Sequence, residues 1–163
     1  AAMIRVGNQK GLSDFVSLRR IAFSVFILTL LIEIVFAVMF LLLRDWLPTL
    51  YLDTNNIAKT LENSEVILIA SELLIIVALF QIFDGLQVAI LGALKGMQDV
   101  KIPTLITFIA YWIIGFPFCF YLGLYTPLKS SGIWIGLCIG LVSASIMLYL
   151  RFNYITKKLI VKN

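Results

Sequence analysis

Glu33, Glu72 and Asp84 are the residues best placed to do chemistry in this sequence, because each is a carboxylate set inside a long apolar stretch. An acid at the centre of a lipid-embedded helix costs about 2.5 to 3.5 kcal/mol on insertion scales unless it is neutral, paired or facing water; where one is kept, it marks an ion or proton path. Asp84 has the most telling neighbours. In Phe80-Gln81-Ile82-Phe83-Asp84-Gly85-Leu86-Gln87 the polar side chains recur at i, i+3 and i+6, which on a helix places Gln81, Asp84 and Gln87 within an arc of about 120°. Two amides beside a carboxyl group can hydrogen-bond its neutral form or help hold a cation. A carboxyl group withdrawn from water favours that neutral form. A proton- or sodium-coupled carrier needs this combination, although an interhelical hydrogen-bond cluster that only joins helices would use the same residues.

The other candidates are weaker. Glu72 stands two turns from the edge of its apolar block and reads better as a wetted helix end. Glu33, near the middle of its block, reads equally as a protonated packing residue or as a cavity-lining group. Tyr111, with Trp112 beside it, is a further candidate for lining a cavity, and Gly115 and Pro117 interrupt the same block. A proline inside a helix removes a backbone hydrogen bond and bends the chain, so these two residues form a candidate hinge or a static kink. Gly132, Gly136, Gly140 and Ala144 recur every four residues, a smooth face that lets another helix approach closely; Gly85, Ala89 and Ala93 do the same on their block.

The elements that must position these residues follow from hydropathy. Of 163 residues, 61% are hydrophobic and 13% charged, and the apolar residues fall in four long blocks, 21–43, 66–94, 102–125 and 132–150. Each supplies roughly the 20 helical residues that a hydrocarbon core of about 30 Å demands, so the expected fold is an all-α integral membrane protein with four transmembrane helices. Strand-built barrels alternate apolar and polar residues and do not fit. The net charge of +4 resides at the ends of the blocks rather than on a phosphate-binding face, so no nucleic acid partner is expected. With no histidine, and with Cys119 and Cys138 isolated in apolar sequence, neither a metal site nor a cofactor is implied. No nucleophile and base pair suggests an enzyme.

Ten of the thirteen cations (Arg5, Lys10, Arg19, Arg20, Lys95, Lys101, Arg151, Lys157, Lys158 and Lys162) fall on one side of the expected membrane, and Arg44, Lys59 and Lys129 on the other. Cytoplasmic loops retain Lys and Arg, so both ends of the chain are expected in the cytoplasm and the loop bearing Asp45, Asp53, Glu62 and Glu65 outside. Residues 1–20 read as the end of a preceding helix and a loop, and 151–163 as a basic cytoplasmic tail. The opening Ala1-Ala2-Met3-Ile4-Arg5-Val6-Gly7 suggests that sequence is missing upstream, and no signal peptide is visible.

The sequence resembles the multidrug and toxic compound extrusion (MATE) transporters. Arg5-Val6-Gly7-Asn8 is similar to a cytoplasmic segment of that family. Phe80 to Gln87, continuing through Gly92-Ala93-Leu94-Lys95-Gly96 to Asp99 and Pro103, is similar to its tenth helix and the loop after it. Ala110-Tyr111-Trp112 with Gly115 and Pro117 is similar to its eleventh. Asn8 and Lys95 stand where the family usually has Gln and Arg. The resemblance implies the end of helix eight through helix twelve, part of the C-terminal lobe of a twelve-helix antiporter of the bacterial inner membrane. It further implies that Asp84 binds the coupling ion, H⁺ or Na⁺, or an organic cation substrate, and that the N-terminal lobe of the same polypeptide is the missing partner. A related lipid-linked oligosaccharide flippase, or a truncated membrane scaffold without transport activity, is the alternative.

Overall fold

The computed structural model describes residues 2–51 and 60–162. Helix α1 spans Ala2–Gly11, α2 Phe15–Leu43, and a single 3₁₀ turn covers Leu47–Leu50. Helix α3 spans Thr60–Gly96, and α4 (Lys101–Phe108), a π-helical segment (Ile109–Gly115) and α5 (Phe116–Leu124) together make a third long rod; α6 spans Lys129–Lys162. Four of these rods are long and apolar enough to cross a membrane, and no strand occurs among the described residues. Asp53 and Lys59 of the expected outer loop, and the side chain of Glu62, lie outside the described residues.

The helices outrun the apolar blocks because hydropathy measures contact with lipid, whereas backbone hydrogen bonds continue into the polar flanks. Helix α2 starts at Phe15, where the Asp14 carboxylate accepts the Ser17 amide at 3.0 Å and so satisfies one orphan donor of the first turn. Hydrogen bonding from Ser17 holds the Asp14 carboxyl below the usual carboxylate range. At the other extreme, residues 151–161 do not leave the bundle as a separate tail. They prolong α6, with Phe152 and Thr156 fully buried.

Two turns close in the same way. After α1, the Ser13 amide bonds to the Lys10 carbonyl and the Asp14 amide to that of Gln9; after α3, Gln98 bonds to Lys95 and Asp99 to Leu94. Ser13 and Gln98 take the left-handed conformation that this C-terminal motif needs, with φ of 56° and 62°.

Helix α3 packs against α1, α2 and α6, while the third rod leans on α6. The seam between α6 and that rod is made by glycines. A β-carbon on Gly136 would stand 2.5 Å from Cys119 Cα, and one on Gly140 would stand 3.0 Å from Gly115 Cα. Such close backbone approach is what holds helices together in lipid, where dispersion replaces the hydrophobic effect. The core proper gathers in the half of the bundle nearer the basic residues: Val6, Leu18, Leu94, Leu148 and Phe152 are fully buried there. Phe26 and Phe152 meet edge to face at 5.3 Å, with Phe23 and Tyr149 flanking.

Three polar clasps tie that end. Arg151 bonds to Asp99 at 2.9 Å, the Lys10 ammonium donates to the Met97 carbonyl at 2.6 Å, and Arg19 donates to the Asn153 amide oxygen at 2.7 Å.

Candidate ion and substrate site

Asp84 sits within α3 and is exposed from its helix. It lines a cavity of 490 Å³ to which α2 contributes Val25, Thr29 and Glu33, and α1 contributes Ala2 and Met3. Val25, Thr29 and Glu33 recur every four residues, so one face of α2 supplies all three. The Glu33 side chain lies directly over Gly85: a β-carbon there would come 2.7 Å from Glu33 Cδ. The residue after Asp84 must therefore be small for the second acid to reach the same wall. Two carboxylates from different helices and the Thr29 hydroxyl give this cavity oxygen donors of the kind hard cations take. Among the described residues no group of three His, Cys, Asp or Glu is arranged to hold a metal ion.

The flanking amides are engaged elsewhere. Gln81 donates from Nε2 to the Glu33 carbonyl at 3.2 Å, pinning α2 against α3 at the level of the acids. Gln87 is buried and accepts the Tyr111 hydroxyl at 2.9 Å, which joins α3 to the π-helical segment. The 60° between successive members of the i, i+3, i+6 set fans them out: Gln81 toward α2, Gln87 toward the third rod, and Asp84 between. The structure thus brings Gln87 and Tyr111 together and sets Glu33 beside Asp84. Each glutamine makes an interhelical bond of the joining kind.

Gly115 ends the π-helical segment and Pro117 lies in the first turn of α5. The Pro117 ring has no amide hydrogen and crowds the carbonyl four residues earlier, and just before it the Phe116 amide reaches back five residues to the Tyr111 carbonyl. The interruption is therefore spread over seven residues, with Gly115 held against Gly140. Glu72 lies away from this site, exposed in a separate 410 Å³ cavity with Arg44, Asp45 and Ser71. Ser71 donates to the Arg44 carbonyl at 3.1 Å.

Glu33 is the residue whose partnership sequence reasoning missed. Thr29, one turn before it on the same face, was the available signal that this face of α2 is polar. Which helix that face meets is a matter of tertiary packing.

Comparison with known proteins places these features in context. The family model described as MatE matches residues 1–121. The chain is 38% identical over 157 residues to a probable multidrug resistance protein NorM of Rhodopseudomonas palustris, covering 96% of this chain and 32% of that protein. It is 35% identical over 162 residues to the multidrug resistance protein MdtK of Yersinia enterocolitica, covering 97% and 34%. The crystal structure of the eukaryotic MATE transporter AtDTX14 superposes with a TM-score of 0.81 at 21% identity, over 97% of this chain and 34% of that one. The chain thus spans about a third of the length of the curated relatives it matches.

Proposed function

The chain belongs to the MATE family, and from that premise we propose that it forms part of the C-terminal lobe of a cation-coupled multidrug antiporter. The observation that carries the reading is the meeting of Asp84 and Glu33 on one cavity wall, with Gly85 making room between them. An organic cation taken from the cytoplasm and an inward-moving H⁺ or Na⁺ compete for the charge of these carboxylates. Occupancy by one weakens the other, which is a coupling free energy in the usual sense. The rest of the polypeptide supplies the facing lobe, and rocking of the lobes around a site at mid-membrane depth exchanges access. The distribution of cations supports a bacterial inner-membrane protein with both ends of this chain in the cytoplasm. A lipid-linked oligosaccharide flippase would meet an anionic substrate, for which a wall bearing two acids and no cation is poorly suited.

The test uses the protein expressed from its own gene. Asp84→Asn should slow ion-driven efflux of a fluorescent cationic dye from cells by about tenfold or more, within the range of typical coupling energies, at unchanged membrane abundance. Wild-type efflux from that variant would overturn the assignment.

A further inference from the structure

The third rod packs on α6, and between it and α3 a groove of 340 Å³ stays open, lined by Leu91 and Lys95 of α3 and by Thr104, Phe108 and Trp112 among others. Its character changes along its length. At the basic end, Lys95 occupies the last turn of α3 and Lys101 opens α4. Lys101 lies on the Thr104 and Phe108 face of α4, three and seven residues away. Both lysines are exposed, and neither has a partner among the described residues, whereas Lys10, Arg19 and Arg151 at the same end are taken up by internal bonds. The Thr104 hydroxyl donates to the Val100 carbonyl, which leaves the two ammonium groups as the donors at the groove's mouth.

Deeper, the groove is mostly apolar, since the hydroxyls of Thr107 and Tyr111 that also line it donate to the Pro103 carbonyl and to Gln87. Phe108 and Trp112 stack at 6.2 Å, and Trp112 and Phe116 continue the column at 5.9 Å, all three more than half exposed. Trp112 lies at the middle of the Lys101–Leu124 rod, away from the interfacial levels where tryptophan usually anchors a helix. From Lys101 to Trp112 the helix rises about 16 Å, close to half of a hydrocarbon core about 30 Å thick. That is one leaflet.

We propose that this groove binds one anionic phospholipid, its phosphate between Lys95 and Lys101 and an acyl chain against Leu91, Phe108 and Trp112. Charge complementarity selects the headgroup, since basic pockets between helices at the membrane surface attract anionic lipids, and the aromatic column supplies a flat wall for the chain. The lysine stems lie along the groove while their heads reach the phosphate plane. The proposal requires that in the whole protein this groove face the lipid and not the rest of the polypeptide; it does not rest on the antiport reading.

The experiment uses the protein expressed from its own gene, with Trp112 left as its single tryptophan. It is reconstituted in phosphatidylcholine bilayers containing phosphatidylglycerol or phosphatidylcholine with brominated acyl chains. Quenching of Trp112 should favour brominated phosphatidylglycerol on the order of tenfold, as two cations near the surface imply. Lys95→Gln with Lys101→Gln, both at exposed positions, should abolish the preference while leaving quenching by phosphatidylcholine intact. A protein retaining only Trp134, near the opposite end of the bundle, should show none. Equal quenching by the two lipids, no quenching by either, a preference that survives the double substitution, or an equal preference at Trp134 would each overturn the proposal.

Discussion

Arg151 grips Asp99 with two hydrogen bonds, Nε to Oδ2 at 2.9 Å and Nη2 to Oδ1 at 3.4 Å, and thereby ties the turn after α3 to the distal half of α6. The two side chains keep 23% and 17% of their exposure, so the pair lies between a surface ion pair and a buried one. Arg151→Met should then destabilise the protein by about 1 to 3 kcal/mol, above the ~1 kcal/mol of exposed pairs and below the ~3 to 5 kcal/mol of broken buried ones. Adding Asp99→Asn should recover part of that loss by removing the stranded charge. Thermal midpoints of the four proteins in detergent give the coupling; strictly additive losses would mean that the pair contributes nothing.

The glycine seam of α6 predicts a contrast between two conservative changes. Gly136→Ala drives a methyl into the Cys119 backbone, which cannot step aside, and should cost about 1 to 3 kcal/mol through overpacking. Gly11→Ala meets nothing within 4 Å and should leave stability unchanged or slightly raised, since alanine favours helix more than glycine does. Equal behaviour of the two variants in denaturant titration would contradict the seam.

Gly85→Ala separates stability from transport. Here the obstacle is the end of the flexible Glu33 side chain rather than backbone, so the cost in stability should stay below about 1 kcal/mol. The displaced carboxylate, however, leaves Asp84 alone on the wall. On the antiport reading, both Gly85→Ala and Glu33→Gln should weaken the dependence of dye efflux on the driving ion gradient. Efflux identical to wild type in both would remove Glu33 from the coupling scheme.

Asp14 sets the pH behaviour of the start of α2. Its folded-state carboxyl is held below the ordinary carboxylate value by Ser17. The cap's contribution is therefore fully present above the unfolded value of about 3.9 and is lost as pH falls through the lower folded value. Asp14→Ala should melt below wild type at neutral pH, and the gap should close below about pH 4. A gap that persists to pH 2 would show that the charge on Asp14 is irrelevant to the cap.

How much of this was legible in the sequence depends on whether the feature is local. Four spanning helices follow from run length and hydropathy alone, and the Gly132, Gly136, Gly140 repeat announced a close-packed face because a four-residue period is a property of one helix. Pro117 announced a distortion, but not that the helix would widen over Ile109–Gly115 instead of bending at one point, since that depends on Gly115 being held against Gly140. The glutamines beside Asp84 were visible; their bonds to the Glu33 carbonyl and to Tyr111 were not, because 60° of rotation about α3 is enough to send neighbours to different helices. The juxtaposition of Glu33 and Asp84 is tertiary throughout: 51 positions separate them in the chain, and only the packing of α2 on α3 brings them to one wall.

The π-helical segment also bears on how the gene can change length. Such a turn accommodates one residue more than an α-turn does. Loss of a single codon between Ile109 and Gly115 would let the rod rewind as α-helix with Lys101 and Leu124 still on their present faces. The same loss between Gly132 and Gly140 would rotate part of the α6 seam by about 100° away from its partner. Of the two helices that meet along that seam, one therefore carries slack for insertion and deletion, and the other must keep its count.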